Sequence, residues 1–90
     1  MMSERYLEVT YRRGRALAAY LYLPRRPGDK CAKTTPAGDG LLVDWSTDGR
    51  PLGIEILHPA RLDAAQLNRV LTDLAQAPLA AEELRPLAAA

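Results

Sequence analysis

Ninety residues with a mass of 9.9 kDa provide for one hydrophobic core and leave no room for a second. Twelve Lys and Arg stand against eleven Asp and Glu, and 48% of the residues are hydrophobic, which excludes both a disordered acidic tail and a histone-like basic chain. One cysteine, Cys31, cannot form an internal disulfide, and with one histidine it is too few soft ligands for structural zinc.

The first residues run directly into alternating polar and apolar positions, without the charged and apolar regions of an export signal. The longest apolar run, Ala16 to Leu23, is eight residues, far short of the roughly 20 of a membrane-spanning helix. A cytoplasmic domain with no membrane span is the expectation. Charge is divided unevenly: residues 1–40 hold eight basic and four acidic side chains, residues 41–90 four and seven.

In chain order, the first predicted hairpin pairs Tyr6 to Tyr11 with Ala16 to Leu23. A three-residue loop at 13–15 sets Tyr11 against Leu17, Val9 against Ala19 and Leu7 against Leu21, one apolar face. Glu8, Thr10, Tyr6, Tyr20 and Tyr22 share the other. Two prolines and a glycine in residues 24–29 start a loop, and Lys30 to Ala37 is a weak strand that Pro36 confines to an edge or bulge. Leu41 to Trp45 and Pro51 to Leu57 flank Asp48-Gly49, a leading hairpin signature. A two-residue loop there sets Trp45 against Leu52, Val43 against Ile54 and Leu41 against Ile56, with Asp44, Gly53 and Glu55 on the opposite face.

From Leu62 the apolar period lengthens to 3.6. Asp63 and Gln66 match a capping box, Leu62 and Leu67 a hydrophobic staple, and Leu67, Val70, Leu71 and Leu74 form the stripe of a helix over about 63–76. A short helix at Leu79 to Leu84 or a tail over 78–90 follows, with fraying expected at Arg85-Pro86-Leu87. The fold class is therefore α+β within a single domain spanning 1–90: an antiparallel β-meander of four to five strands over 6–57, then one or two C-terminal helices.

The segment Leu42-Val43-Asp44-Trp45-Ser46-Thr47-Asp48-Gly49-Arg50-Pro51-Leu52-Gly53-Ile54-Glu55-Ile56-Leu57 resembles a family of small bacterial proteins catalogued as domain of unknown function 2283. A valine-aspartate-aromatic strand, an acidic-glycine turn and a Gly-Ile-Glu-Ile-Leu strand occur in the family's order. Tyr11 and Ala18 to Leu23 match its N-terminal part loosely, while Arg12, Arg13 and Arg15 stand where the family tends to be acidic. The resemblance implies an antiparallel sheet and no established activity. Because some members are encoded beside small toxin-like proteins, it also implies an antitoxin-like role with a small protein partner.

No phosphate-binding glycine motif is present, and no complete set of acid, base and nucleophile can be assembled, so no catalytic residue, metal or cofactor is assigned. The sharpest catalytic reading, Cys31 with His58, has nothing that places the two together. Asp44 and Glu55 share a sheet face, where solvated strand residues are the simpler account. Gly53, inside a strand, marks either a bulge or the close approach of a second chain. The arginines at 12, 13, 15, 25 and 26 invite a nucleic-acid alternative, but the two loops holding them lie at opposite ends of one strand. One helix about 10 Å wide cannot cover a five-stranded sheet about 24 Å wide, so the rest must be buried by sheet coiling, by the Leu79, Leu84 and Leu87 tail or by another chain, and apolar area of that size favours an interface. The sequence thus points to a non-enzymatic interaction or regulatory module, homodimeric through Tyr6, Tyr20, Tyr22, Gly53 and Leu57. The alternative is nucleic-acid contact through Arg12, Arg13, Arg15, Arg25 and Arg26, and the third reading is an enzyme of unknown type.

Overall fold

The structure, a computed structural model, describes residues 4–88. Strands β1 (Tyr6–Arg12), β2 (Arg15–Tyr22), β3 (Cys31–Gly38), β4 (Leu41–Ser46) and β5 (Pro51–Ile56) form one antiparallel sheet. A 3-10 turn at Pro59–Arg61, helix α1 (Ala64–Asp73) and a helical turn, α2 (Arg85–Ala88), follow. This is an α+β fold, an antiparallel sheet followed by a C-terminal helix.

The strands do not run as a simple meander. Their order is β1-β2-β5-β4-β3, so β3, β4 and β5 are sequential neighbours while the β1–β2 hairpin docks on β5, a Greek-key arrangement. The reason lies in what each strand can tolerate. In β2, Ala19 and Leu21 are buried and profit from a strand on each side, whereas β3 is largely exposed and contains Pro36, which has no N–H to donate. The proline strand takes the edge and the apolar strand moves inward. The connection between them is held to the β4–β5 turn by Asp29, which accepts two hydrogen bonds from Arg50 at 2.5 and 3.1 Å and one from the Arg26 N–H at 2.8 Å.

Both hairpins have the expected pairings at their bases and unexpected loops. Leu7 faces Leu21, Val9 faces Ala19, Val43 faces Ile54 and Leu41 faces Ile56. The first loop, however, is the two residues Arg13-Gly14, with φ of 54° and 76°, the left-handed pair of a type I′ turn. A bulge beside Thr10/Tyr11 then sets Tyr11 against Ala16 rather than Leu17. The second loop has three residues, Thr47-Asp48-Gly49, Gly49 having φ of 86°, and a bulge beside Asp44/Trp45 sets Trp45 against Pro51 rather than Leu52. In each hairpin the bulge absorbs the one-residue difference, so the faces further along keep their expected parity.

Asp63 caps α1 by accepting the Ala65 N–H at 3.0 Å, and Leu67, Val70 and Leu71 bury the predicted stripe against Leu21, Leu41, Val43, Ile54 and Ile56. Gln66 does not complete a capping box on Asp63; its amide lies against the backbone of Gly38. The rest of the apolar face is covered by the tail. Leu79 is buried, Leu84 and Leu87 pack beside it, and Arg85-Pro86-Leu87 is helical rather than frayed. Arg5 clamps this tail with a paired contact to both Glu83 oxygens at 2.8 Å and bonds to the carbonyls of Ala77 and Pro78. The Tyr11 hydroxyl donates to the Pro86 carbonyl at 2.6 Å, and the Leu79 N–H to Asn68 at 2.9 Å. Of the sheet coiling, leucine tail and second chain that could bury this face, it is the tail of Leu79, Leu84 and Leu87, together with the helix, that covers it.

Candidate functional site

Among the described residues no helix lies on the opposite face of the sheet. Register places Tyr6, Tyr22, Gly53, Asp44 and Thr34 in one row across it and Glu8, Tyr20, Glu55, Leu42 and Pro36 in the next. Leu57, 41% exposed, follows Glu55 on the same parity. The Tyr6 and Tyr22 rings stack with centroids 4.4 Å apart and planes 12° from parallel, and Tyr20 tilts against Tyr22 at 4.6 Å. Tyr6 is 51% exposed, so one surface of the stack is available to a partner.

Gly53 is the residue on which this arrangement turns. The Tyr20 hydroxyl donates to Asp44 on β4 at 2.8 Å, and Asp44 accepts from Thr34 on β3 at 2.5 Å. To reach Asp44 from β2 the ring must cross β5, a span of two strand spacings or about 9.6 Å. It crosses where β5 has no side chain: a Cβ on Gly53 would overlap the ring. Gly53 is therefore buried in a central strand beneath an aromatic ring of its own chain. Its assignment as an interface residue is corrected, and the close approach is made by Tyr20 rather than by a second chain.

Arg25 closes the cluster from the end of β2. Its guanidinium lies 5.1 Å from the Tyr22 ring centre and 5.8 Å from that of Tyr20, and it donates to the Tyr20 oxygen at 3.1 Å and to the Leu52 carbonyl at 3.1 Å. Burial first, and then Asp44, holds the Tyr20 phenol well above the usual tyrosine range despite Arg25. Burial followed by Glu8 raises Tyr22. Both phenols are therefore neutral near pH 7, with their rings packed together and against Arg25.

The arginines divide as the sequence implies. Arg12, Arg13 and Arg15 line a shallow hollow with Leu17 at the β1–β2 turn, while Arg25 and Arg26 lie at the other end of β2. Arg25 is engaged by the tyrosines, and the Arg26 N–H by Asp29. Cys31 and His58 are not brought together: Cys31 pairs with Ser46 at one end of β3, and His58 lies beside Gly40, past the other end. A second concavity of about 230 Å³ lies there, with Asp39, His58, Arg61, Asp63 and Gln66 at its rim. Among the described residues no group of three His, Cys, Asp or Glu is placed to hold a metal ion.

No family model, curated protein or solved structure matches the chain. Among the described residues no helix is long and apolar enough to cross a membrane.

Proposed function

We propose that the protein is a protein-binding module, homodimeric and cytoplasmic, whose contact surface is the tyrosine-lined open face of the sheet. The observation that carries this is the Tyr6–Tyr22 stack, fixed from below by Arg25 and the Tyr20–Asp44–Thr34 chain of hydrogen bonds. Tyrosines already held in one conformation offer large amphipathic contact area and lose little entropy on association. Leu57 and the half-buried Leu42 add apolar area between them.

At the end of this face that holds the tyrosines, three carboxylates, Glu8, Asp44 and Glu55, outnumber Arg25. That local balance opposes a phosphate backbone beside the tyrosines, so the aromatic end supports protein rather than nucleic-acid contact. The likeness of residues 42–57 to the uncharacterised bacterial family belongs with the same reading, since an antitoxin-like partner would also use a protein-binding face.

The test is the absolute mass in solution across a hundredfold concentration range, for the wild type and for Tyr22→Asp. A concentration-dependent dimer that the variant loses, with its circular dichroism unchanged, supports the reading. A wild-type monomer throughout, with no heteropartner competing for Tyr22, overturns it.

A further inference from the structure

The β1–β2 hairpin is longer than the sheet behind it. β2 pairs with β5 only from Ala19 to Tyr22, so the outer half of the hairpin, up to the Arg13-Gly14 turn, runs on as a two-stranded ribbon. On the core side this ribbon is held by Tyr11 bonding to Pro86. Arg12 follows Tyr6, Glu8 and Thr10 on the open-face parity of β1, and Arg15 pairs with it from β2. Among the described residues no ion pair engages Arg12, Arg13 or Arg15. The open face therefore has a basic end and, about 13 to 20 Å along the strands, an end where Glu8, Asp44 and Glu55 outweigh Arg25.

We infer that the occupant of the open face is a second copy of this chain, related by a two-fold axis lying in the interface perpendicular to the strands, with Arg12 and Arg15 of each copy seated on Tyr6, Tyr22 and Glu8 of the other. This rests on the protein-binding reading above and adds the symmetry axis and the contacts. An isologous interface must be complementary to itself. An axis parallel to the strands would bring the two basic ends together. An axis perpendicular to them, near the level of Val9, reverses the strand direction of the second copy and lays each basic end on the other's acidic, aromatic end. The strands of β1 and β2 remain over β1 and β2, so Arg12 arrives above the Tyr6–Tyr22 stack within reach of Glu8. Guanidinium over a tyrosine face beside a carboxylate is a favoured contact for arginine at interfaces. Aligned face-to-face packing is an ordinary arrangement for two sheets.

The closing experiment uses two charge-reversed proteins, Arg12→Glu with Arg15→Glu, and Glu8→Arg. Each alone places like charges at both contacts, and each is expected to weaken the dimer at least about tenfold. Mixed together they restore both contacts: the carboxylates introduced at positions 12 and 15 of one copy meet the guanidinium introduced at position 8 of the other, and the second contact is native. A heterodimer in the mixture, detected by native mass spectrometry, from two proteins that are monomeric alone at that concentration, is the expected result. A wild-type dimer that both variants keep unchanged would overturn this arrangement while leaving the protein-binding reading intact, whereas a wild-type monomer overturns the arrangement and, with no heteropartner competing for Tyr22, the protein-binding reading as well. Salt-sensitive binding of the wild type to a short DNA duplex, lost in Arg12→Glu with Arg15→Glu while the dimer persists, would also overturn it by giving the basic end to nucleic acid.

Discussion

The cluster over β5 depends on one missing side chain. Gly53→Ala places a methyl group where the Tyr20 ring lies and forces the phenol away from Asp44. A loss of about 1–3 kcal/mol in urea unfolding is expected from the overpacking. In a Tyr20→Ala background the same substitution should cost much less, and the double-mutant cycle measures the difference. The Tyr20 phenol gives a second handle. Its ionisation is raised in the folded state, so its contribution to stability is complete below the ordinary tyrosine range and is lost as pH rises through the folded value. Alkaline titration followed by tyrosinate absorbance should show a late component that Tyr20→Phe removes, with stability above about pH 10 becoming less pH-dependent in the variant.

Among the elements, the tail and the two hairpins respond differently. Arg5 joins the start of the chain to Glu83 and to two tail carbonyls, so Arg5→Ala should cost about 1–2 kcal/mol in thermal or denaturant unfolding. It should also expose the tail to proteolysis. Hydrogen bonds from Arg5 lower Glu83, those from Arg50 lower Asp29, and those from Ser46 and then Arg50 bring Asp48 down to about 2. Carboxylates lowered by folding stabilise above their unfolded values and lose that contribution as pH falls through the folded ones. Stability should therefore decline from about pH 4 toward pH 2, less steeply in Arg5→Gln and in Arg50→Gln. The hairpins show what was legible beforehand. The partners of Leu7, Val9, Leu41 and Val43 follow from hydrophobic alternation, because one face must be buried. Loop lengths do not, because a bulge at Leu17 or Leu52 restores the parity that the loop changes. Arg13-Gly14 carried the type I′ signal that Asp48-Gly49 advertises more strongly.

For the whole molecule, strand order was the least legible property. Alternation places a residue on a face without naming the neighbouring strand, and the position of β5 beside β2 depends on a crossover held by Asp29 and Arg50, residues distant in sequence. The Tyr6, Tyr20 and Tyr22 face was legible from parity alone, while the seat beneath Tyr20 required knowing that β5 and β4 come next. The same order divides the surface into a covered face and an open one, so association should respond to salt through the charged ends of the open face and little to changes on α1. Raising ionic strength from low to physiological values should weaken a self-complementary charged dimer severalfold, measured by sedimentation.

The proline strand has one more effect. β3 is a terminal strand of the sheet, and it is interrupted by Pro36 and by irregular pairing at both ends, beside Cys31/Lys33 and Pro36/Gly38. A strand so broken is a poor template for incoming chains, because it lacks a continuous row of hydrogen-bonding groups. Sheet extension into filaments is discouraged along this margin even though the protein presents aromatic surface, and copies are steered toward face contact. Replacing Pro36 with valine should trade that protection for local strand propensity, appearing as faster thioflavin-positive aggregation on mild heating.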